Sequence, residues 1–166
     1  MSAERPDKRK KETHGLEPVF DENSEVLILG SFPSPASRAK GMYYSHPQNR
    51  FWKVLAAVFG EAEPLTAEAR KEFALSHKIA LYDVIEECEI DGAADSSVKN
   101  VVPADLTVFS GCKLKQVFVT GKLAGKLYSK YFGAGAITLP SPSPANCAVS
   151  FERLKESYCM IADVLK

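Results

Sequence analysis

The side chains best suited to chemistry lie in two clusters that follow a short apolar run at residues 26–29. The run ends in Gly-Ser-Phe-Pro-Ser at residues 30–34, and the string Tyr-Tyr-Ser-His-Pro-Gln-Asn-Arg-Phe-Trp occupies residues 43–52. A connection of this length in a compact domain is unusual unless it has a function. Its aromatic, imidazole, amide and guanidinium groups suit a pocket built over the end of a strand.

A second candidate loop, Ser-Pro-Ser-Pro-Ala-Asn at residues 141–146, follows another apolar run. Short hydroxyl side chains and backbone N–H groups are common contacts of phosphate, so this loop suits a phosphate contact. The alternative is a rigid connector, because its prolines restrict the backbone. Loops at the carboxyl ends of neighbouring parallel strands meet at one edge of a sheet, and we expect the two candidate loops to lie close together there.

The hydrophobic periodicity predicts strands that alternate with helices. Strands are predicted at residues 26–31, 79–85, 116–120 and 136–139. Helices are predicted at residues 50–59, from Thr66 onward, at 103–110, at 122–132 and at 151–165. Residues 86–103 are polar, and we expect them to be mostly loop. The alternation predicts the α/β class, as a three-layer α/β/α sandwich with a mainly parallel central sheet.

Composition limits the class of protein. Residues 1–15 are basic and aperiodic, so we expect a disordered tail followed by a single domain at residues 16–166. The chain has no apolar run long enough to span a membrane and no secretory signal, so we expect a cytoplasmic protein without a membrane partner. The cysteines, at positions 88, 112, 147 and 159, lack ligand spacing, and neither a metal site nor a disulfide framework is expected.

Charge is zero overall but unevenly distributed along the chain. Residues 30–60 hold four basic side chains and no acidic one, whereas residues 61–95 hold ten acidic side chains against three basic ones. A neutral protein can therefore present one positive face that follows a phosphate backbone. The alternative is an ordinary solvated surface, since blocks of one sign are common on protein surfaces.

The two loops together resemble the uracil-DNA glycosylase superfamily, and within it the hypoxanthine-DNA glycosylases and the mismatch-specific uracil/thymine glycosylases. The first match is Gly30-x-x-Pro33, followed by His-Pro-x-Asn-Arg-Phe-Trp at residues 46–52. The second match is Pro142-Ser143 after the last predicted strand. The longer string is specific, whereas the Pro-Ser pair alone is weak. The order of predicted strands and helices agrees over most of the chain.

The resemblance implies an α/β/α fold and hydrolysis of the bond between a damaged base and deoxyribose, with no metal and no other cofactor. Two positions depart from the pattern of the superfamily. Phe32 stands where many members carry Asp or Asn to orient the attacking water, and Ala145 stands where the mismatch-specific enzymes insert a large apolar residue into the duplex. The first departure points to the hypoxanthine branch, in which the Asn of the His-Pro-x-Asn string, here Asn49, is implicated.

Candidate roles follow from the resemblance. Asn49 is the expected catalytic residue, although asparagine is also a good helix N-cap. The residues expected to bind the base are Gly30, Ser31, Phe32, Tyr44 and His46. The residues expected to bind DNA are Ser34, Arg38, Arg50, Ser141, Ser143, Pro144, Ala145 and Asn146.

Some of these assignments have structural alternatives. Tyr44 is the first candidate for stacking on a flipped base and Phe32 the second, but aromatic side chains more often close a loop over the core. His46 suits a structural role at least as well. Asp83, at the end of a predicted strand, either lines the pocket or closes a turn.

Two functions from different classes are compatible with these features. The first is a monofunctional DNA glycosylase that acts on deaminated bases, hypoxanthine first and uracil or xanthine next. The second is a non-catalytic nucleic-acid or nucleotide-binding domain that keeps the fold, which Phe32 favours. The expected partner is DNA containing deaminated bases, and a monomer is expected. In a eukaryote we expect the protein in the nucleus, and in a prokaryote with the nucleoid.

Overall fold

The protein is built around a four-stranded parallel sheet in the computed structural model, which describes residues 7–166. The strands in this part of the chain are β1 (Lys10–Thr13), β2 (Val26–Gly30), β3 (Ile79–Asp83), β4 (Ile85–Ile90), β5 (Lys99–Pro103), β6 (Gln116–Thr120) and β7 (Ala136–Leu139). The helices are α1 (Pro35–Lys40), α2 (Phe51–Phe59), α3 (Ala67–Ser76), α4 (Lys122–Phe132) and α5 (Phe151–Val164). The central sheet has the parallel order β3-β2-β6-β7, and a second, antiparallel sheet has the order β1-β4-β5.

Strand β2 lies between two hydrophobic cores because both of its faces are apolar. Val26 and Ile28 pack with α2, α3 and α5, whereas Leu27 and Leu29 pack with α4 and β4. All residues of β2 are buried, as expected for a strand that is covered on both faces. Burial of each large apolar side chain contributes on the order of 1.5–3 kcal/mol. The predicted three-layer α/β/α fold with a mainly parallel sheet is confirmed.

Capping residues mark two of the predicted helix boundaries. Thr66 Oγ1 accepts the amide hydrogen of Ala69 at the start of α3, and Ser150 Oγ accepts that of Arg153 at the start of α5. Each such cap contributes typically about 1 kcal/mol. The helix expected near residue 103 is a short 3₁₀ turn, Leu106–Phe109. Among the helices within residues 7–166, none is long and apolar enough to cross a membrane.

The long connection after β2 contains a helix, α1, that the periodicity does not predict. It begins at Ser34, whose Oγ accepts the amide hydrogen of Ser37, and it ends at Gly41. Gly41 adopts φ 71°, a left-handed conformation that glycine tolerates without steric cost. Ser34, a residue expected to contact DNA, therefore uses its hydroxyl oxygen to cap α1.

The antiparallel sheet corrects two sequence-based expectations. Residues 10–13, expected within a disordered tail, form β1 and pair with β4. Residues 86–103, expected to be mostly loop, contain β5 and all of β4 except Ile85. The glutamates of β4 lower its intrinsic strand preference, so pairing and burial of one face must stabilise it. Residues 1–6 of the expected tail lie outside the described part of the chain.

Trypsin should distinguish the paired strand β1 from a disordered tail. Trypsin cleaves only a locally unpaired segment. Pairing with β4 therefore protects the peptide bonds after Lys10 and Lys11 from the protease. In the folded protein we expect these bonds to be cut at least about tenfold more slowly than in a synthetic peptide of residues 1–20. A time course of the digest by mass spectrometry measures both rates. Equal rates would contradict the pairing of β1.

Candidate active site

The parallel register brings the last residues of β2, β3 and β6 to one edge of the central sheet. Gly30 ends β2 and lies opposite Asp83, the last residue of β3. Thr120 ends β6, which pairs with β2 on its other side. Since parallel strands have their carboxyl ends at the same edge, the loop after β7 leaves from this edge as well. The two candidate loops therefore share one end of the sheet, as expected.

Gly30 leaves a gap between three polar side chains. A β-carbon at this position would lie 2.5 Å from Asp83 Oδ1, 3.2 Å from the Tyr44 hydroxyl oxygen and 3.6 Å from Thr120 Oγ1. The first distance is shorter than a van der Waals contact, so a side chain at position 30 would displace the carboxylate. Glycine at a strand end often marks such a close approach. The carboxylate and the two hydroxyls thus surround one small space.

Asp83 is held by a buried histidine. His14 Nε2 lies 2.7 Å from Asp83 Oδ2, and only 3% and 5% of the two side chains is exposed. His14 Nδ1 lies 3.2 Å from the Leu16 amide nitrogen. Nδ1 lies equally close to the Leu16 carbonyl oxygen, and with either partner of Nδ1 it is Nε2 that donates a hydrogen to the carboxylate. Asp83 Oδ1 has no hydrogen-bond partner within residues 7–166 and is a free acceptor.

Tyr44 reaches the gap from an unusual backbone conformation. Its φ of 57° is left-handed, which costs a non-glycine residue on the order of 1–3 kcal/mol. Its ring stacks on Phe51 with centroids 3.9 Å apart, and its hydroxyl lies 3.0 Å from Thr120 Oγ1. Burial raises the pKa of the Tyr44 hydroxyl far above its ordinary value, and the charge of Asp83 raises it further, so the hydroxyl stays protonated. Because Phe51 covers one face of the ring, stacking of Tyr44 on a base remains a prediction for the other face.

The His-Pro-x-Asn-Arg-Phe-Trp string fixes the loop that carries Tyr44. Trp52 is buried, and its Nε1 donates to the Tyr43 carbonyl at 2.8 Å. Asn49 Oδ1 accepts the amide hydrogen of Phe51 at 2.9 Å, so the side-chain carbonyl satisfies the first amide of α2 from the position before the N-cap residue Arg50. Asn49 Nδ2 makes no hydrogen bond within residues 7–166 and is available as a donor. One half of the Asn49 amide thus has a structural role, and its catalytic role remains a prediction.

Arg50 joins this loop to the last one. Its guanidinium donates to the carbonyls of Val149 and Asn146, at 2.6 Å and 3.0 Å. Its backbone amide donates to the carbonyl of Pro142 at 3.1 Å. Hydrogen bonds from a charged donor are stronger than neutral ones, so this side chain ties residues 142–149 firmly to the start of α2. Two guanidinium nitrogens serve the protein's own backbone, and the expected contact of Arg50 with DNA remains a prediction.

Hydrogen bonds between residues of the last loop, 141–146, fix its conformation. Ser141 Oγ accepts the amide hydrogen of Ser143, and Asn146 Nδ2 donates to the Ser141 carbonyl. Ser143 Oγ accepts the amide hydrogen of Ala145 at the start of the 3₁₀ turn Pro144–Asn146. Ala145 is exposed at this turn. The loop therefore presents a preorganised, polar surface with a small residue at its most exposed point.

Phe32 and Arg38 pack against the N-terminal segment. Arg38 donates to Glu12 Oε2 at 2.7 Å, and its guanidinium carbon lies 5.4 Å from the centroid of the Phe32 ring. The Phe32 ring meets the His14 ring edge-on, with centroids 6.3 Å apart. The charge of Arg38 is thus neutralised by Glu12, and its expected contact with DNA remains a prediction. Phe32 packs against His14, and binding of a base by the Phe32 ring also remains a prediction.

Ser31 leads to a second carboxylate that the sequence analysis did not single out. Its hydroxyl donates to Asp95 Oδ1 at 3.3 Å. Asp95 is exposed to solvent on one side, and the protein around it raises the pKa of its carboxyl by partial desolvation; the hydrogen bond from Ser31 opposes this shift, and the charge of Asp83 adds to it. Two carboxylates therefore lie near the end of β2, although neither belongs to the loop after β2.

Asn49 and His46 line a separate cavity of about 330 Å³. Its other lining residues are Lys40, Ser45, Pro47, Glu63, Leu65, Ala67 and Arg70. No residue of 30–34 or 141–146 lines it. His46 is exposed, and its Nδ1 accepts the amide hydrogen of Gln48. The structure thus places Gly30 and Tyr44 at the gap, and Asn49 and His46 on the cavity.

Comparison with known proteins gives the family. Residues 17–160 match the family described as the Uracil DNA glycosylase superfamily. The chain belongs to this superfamily. A protein described as hypoxanthine DNA glycosylase from Methanosarcina barkeri is 37% identical over 118 residues, which cover 68% of this chain and 73% of that protein. Another of the same description, from Methanosarcina acetivorans, is 36% identical over 150 residues, covering 86% and 93%.

A solved structure shows the same fold. The solution NMR structure of a candidate uracil DNA glycosylase from Methanosarcina acetivorans has a TM-score of 0.78 to this chain at 30% identity. The match covers 93% of this chain and 99% of that chain. The α/β class inferred from alternating strands and helices is therefore the fold of the superfamily.

His14, Asp95 and Thr120 lie at the site, and none of them was predicted from the sequence. His14 belongs to the segment that composition assigns to a tail. A usable signal does exist for Thr120 and for the placement of Asp83, because each polar residue ends an otherwise apolar strand. In a parallel sheet such positions must meet at one edge. No local signal identifies Asp95, which reaches the site only through the fold.

Gly30→Ala tests how closely Asp83 approaches β2. The added methyl group would lie 2.5 Å from Oδ1 and must displace a carboxylate that His14 holds in place. We expect a loss of about 1–3 kcal/mol in the free energy of unfolding, as for other overpacked sites, and a shift of the His14 imidazole NMR signals. Gly111→Ala is the matched control, because a β-carbon added at Gly111 would meet no heavy atom within 4 Å. Equal stability of the two variants would refute the close approach.

Proposed function

We propose that the protein is a DNA glycosylase that flips a deaminated base out of the duplex and hydrolyses its N-glycosidic bond, leaving an abasic site. Hypoxanthine is the first expected base, followed by uracil and xanthine. The observation that carries the proposal is that residues 30–34 and 141–146 leave one edge of the parallel sheet in a member of this superfamily. The relatives described as hypoxanthine DNA glycosylases support the choice of base.

Hydrolysis of the N-glycosidic bond depends more on oriented hydrogen-bonding groups and an oriented water than on proton transfer by a side chain. Breaking the bond from the sugar to the base places positive charge on the sugar and negative charge on the leaving base. A single preorganised donor is worth roughly 3 kcal/mol of barrier in such sites. Asn49 is neutral, so it suits orienting a water or donating from Nδ2, and it cannot act as a strong general base. The carboxyl groups of Asp83 and Asp95 lie near this edge of the sheet, and negative charge there would favour a cationic sugar.

We propose that residues 141–146 meet the DNA backbone. The loop is held in place by Arg50 and carries serine hydroxyls, which are common phosphate contacts. Lys40 and Lys53 are exposed, and both belong to residues 30–60, the stretch that contains basic but no acidic side chains. Because Arg38 and Arg50 are engaged within the protein, these lysines are the better candidates for salt-dependent contacts with phosphate.

The second candidate function is non-catalytic binding of nucleic acid or nucleotide, and Phe32 favours it because it cannot orient a water. Labelled duplexes that contain inosine, uracil or xanthine separate the two functions. After incubation, alkali breaks the strand wherever a base has been removed. Breaks at the modified base establish the glycosylase, whereas binding without breaks establishes the alternative.

We also propose that the protein acts as a monomer. The large apolar side chains with the highest exposure belong to four different segments of the chain, namely Leu65, Val102, Val108 and Met160. A few exposed apolar side chains are normal on a monomer surface. A dimer mass in light scattering at micromolar concentration would contradict this proposal.

Three variants separate the two roles of Asn49. Asn49→Ala removes both the hydrogen bond to the first amide of α2 and the free amide donor, and we expect single-turnover cleavage of inosine DNA to fall by about 100-fold or more. Asn49→Asp keeps an oxygen for the Phe51 amide but removes the donor, so it should be stable yet slow. Ser150→Ala removes the side-chain hydrogen bond at the start of α5, so it should cost about 1 kcal/mol of stability and keep full cleavage.

The measurements on these variants are the single-turnover rate, the duplex affinity and the melting temperature. Affinity should change little for Asn49→Ala, because phosphate contacts carry most of the binding energy. If Asn49→Asp cleaved at nearly the wild-type rate, Nδ2 would have no part in the mechanism.

Bound DNA should protect Cys147 from thiol reagents. Cys147 is exposed and directly follows Asn146, so a duplex seated on the last loop would cover it. We expect its alkylation to slow by at least about tenfold with saturating damaged duplex, as for a thiol that loses access to solvent. Cys112 is the internal control, because it precedes β6 at the opposite edge of the sheet. Unchanged alkylation of Cys147 would place the DNA elsewhere.

A further inference from the structure

The cavity that His46 and Asn49 line is separate from the gap beside Gly30. It lies between the connection after β2 and the start of α3, because its lining residues come from residues 40–49 and 63–70. Its volume of about 330 Å³ falls within the range of ligand pockets, roughly 300–1,000 Å³. A water molecule takes about 30 Å³ in the liquid, so the cavity has room for a ligand much larger than a small ion.

Two cations of the lining, Lys40 and Arg70, have no carboxylate partner. Within residues 7–166, neither side chain has a nitrogen within 4.0 Å of a carboxylate oxygen. Arg70 donates to the Pro64 carbonyl at 3.1 Å and to Ser45 Oγ at 3.4 Å, and Lys40 donates to the Ser45 carbonyl at 3.4 Å. These acceptors are neutral. Glu63 is the acidic residue of the lining, so two positive charges face one negative charge.

The guanidinium of Arg70 is held in place and partly removed from water. Its central carbon lies 5.6 Å from the centroid of the Trp52 ring, and Trp52 is buried. Burial lowers the pKa of Arg70, and the charge of Glu63 opposes this shift. A cation that has lost hydration is stabilised by an anionic partner, and a guanidinium matches the oxygens of a carboxylate or a phosphate. An anion in the cavity would supply that partner.

Neutral hydrogen-bond donors accompany the two cations. His46 Nδ1 accepts the amide hydrogen of Gln48, so Nε2 carries a hydrogen. Asn49 Nδ2 makes no hydrogen bond within residues 7–166. Both side chains line the cavity together with Lys40 and Arg70. Several donors around one space suit an anion with several acceptor oxygens, and a phosphate group is such an anion.

The apolar part of the lining is exposed to solvent. Leu65 is 75% exposed, the highest value among the large apolar side chains within residues 7–166. Pro47 and Ala67 also line the cavity. Burial of exposed apolar surface under a flat ring is favourable. A phosphate that carries a base matches both parts of the lining, whereas a bare phosphate matches the cations alone.

We propose that this cavity binds one nucleotide, with its phosphate between Lys40 and Arg70 and its base against Leu65 and Pro47. The inference goes beyond the proposed function, because binding here requires no cleavage of a glycosidic bond. A nucleotide occurs free in solution and within a DNA strand. The shared chemistry is a phosphate joined to a base, and the experiment separates the two sources.

NMR titration with deoxyadenosine monophosphate (dAMP) tests the cavity directly. We expect saturable shifts of backbone amide signals within residues 45–49 and 65–70. Deoxyadenosine lacks the phosphate and inorganic phosphate lacks the base, so each should bind at least about tenfold more weakly than dAMP. Equal affinity of either fragment and dAMP would overturn the assignment of a nucleotide.

Variants separate the charged part of the cavity from the apolar part. Lys40→Gln and Arg70→Gln should each weaken dAMP binding by about tenfold or more, as for loss of a hydrogen bond to a charged group. Arg70→Lys keeps the charge and should retain part of the affinity. Leu65→Ser should weaken dAMP binding and leave inorganic phosphate unchanged.

Lys71→Gln is the matched control for these variants. Lys71 follows Arg70 on α3, is exposed and does not line the cavity, so its replacement should leave dAMP affinity unchanged. Lys40 is exposed, so Lys40→Gln should fold even if Arg70→Gln does not. Equal dAMP affinity of Lys40→Gln and Lys71→Gln would overturn the proposal.

A single-stranded oligonucleotide of undamaged bases identifies the source of the nucleotide. If the cavity takes a nucleotide of a DNA strand, the oligonucleotide should shift the same amide signals, Lys40→Gln should weaken it, and dAMP should compete with it. If the cavity takes free nucleotides, dAMP alone should shift these signals. The proposal is overturned if neither ligand does. None of these measurements needs a cleaved duplex, so failure of the proposed function would leave this result intact.

Discussion

Strand β2 pairs in parallel with β3 on one side and with β6 on the other. This register places Gly30 directly opposite Asp83 and brings Thr120 to the same edge of the sheet. The register is specified by burial, because successive residues of β2 pack into opposite hydrophobic cores. A slip by one residue would send each apolar side chain to the wrong face. The packing that stabilises the fold therefore also sets the distances between the polar groups at the sheet edge.

The loops at this edge are held by contacts that offset local strain. Tyr44 adopts a left-handed backbone conformation, and the stack on Phe51 and the hydroxyl contact with Thr120 hold it there. Trp52 fixes the preceding residue through its indole N–H, and Arg50 attaches the last loop. Arg50, Phe51 and Trp52 of the string at residues 46–52 thus have structural roles. The free amide hydrogens of Asn49 have no such role.

The N-terminal strand connects the small antiparallel sheet to the same edge. β1 pairs with β4, and the chain then places His14 against Asp83 and Glu12 against Arg38. Neither contact is strong evidence of stability by itself, because a buried charged group needs compensation for lost hydration. Their effect is to fix the direction of one carboxylate and to neutralise one guanidinium.

The sequence by itself determined the elements whose apolar periodicity and caps are local. These are the strands at 26–30, 116–120 and 136–139 and the helices that follow Thr66 and Ser150. The string at residues 46–52 also indicated the family. Only the tertiary structure decided the roles of side chains whose partners are distant in the chain. The polar strands β1 and β4 have weak intrinsic preference and exist because they pair. His14 meets Asp83 across 69 positions, and Arg50 meets Val149 across 99, so no local pattern could have shown either contact.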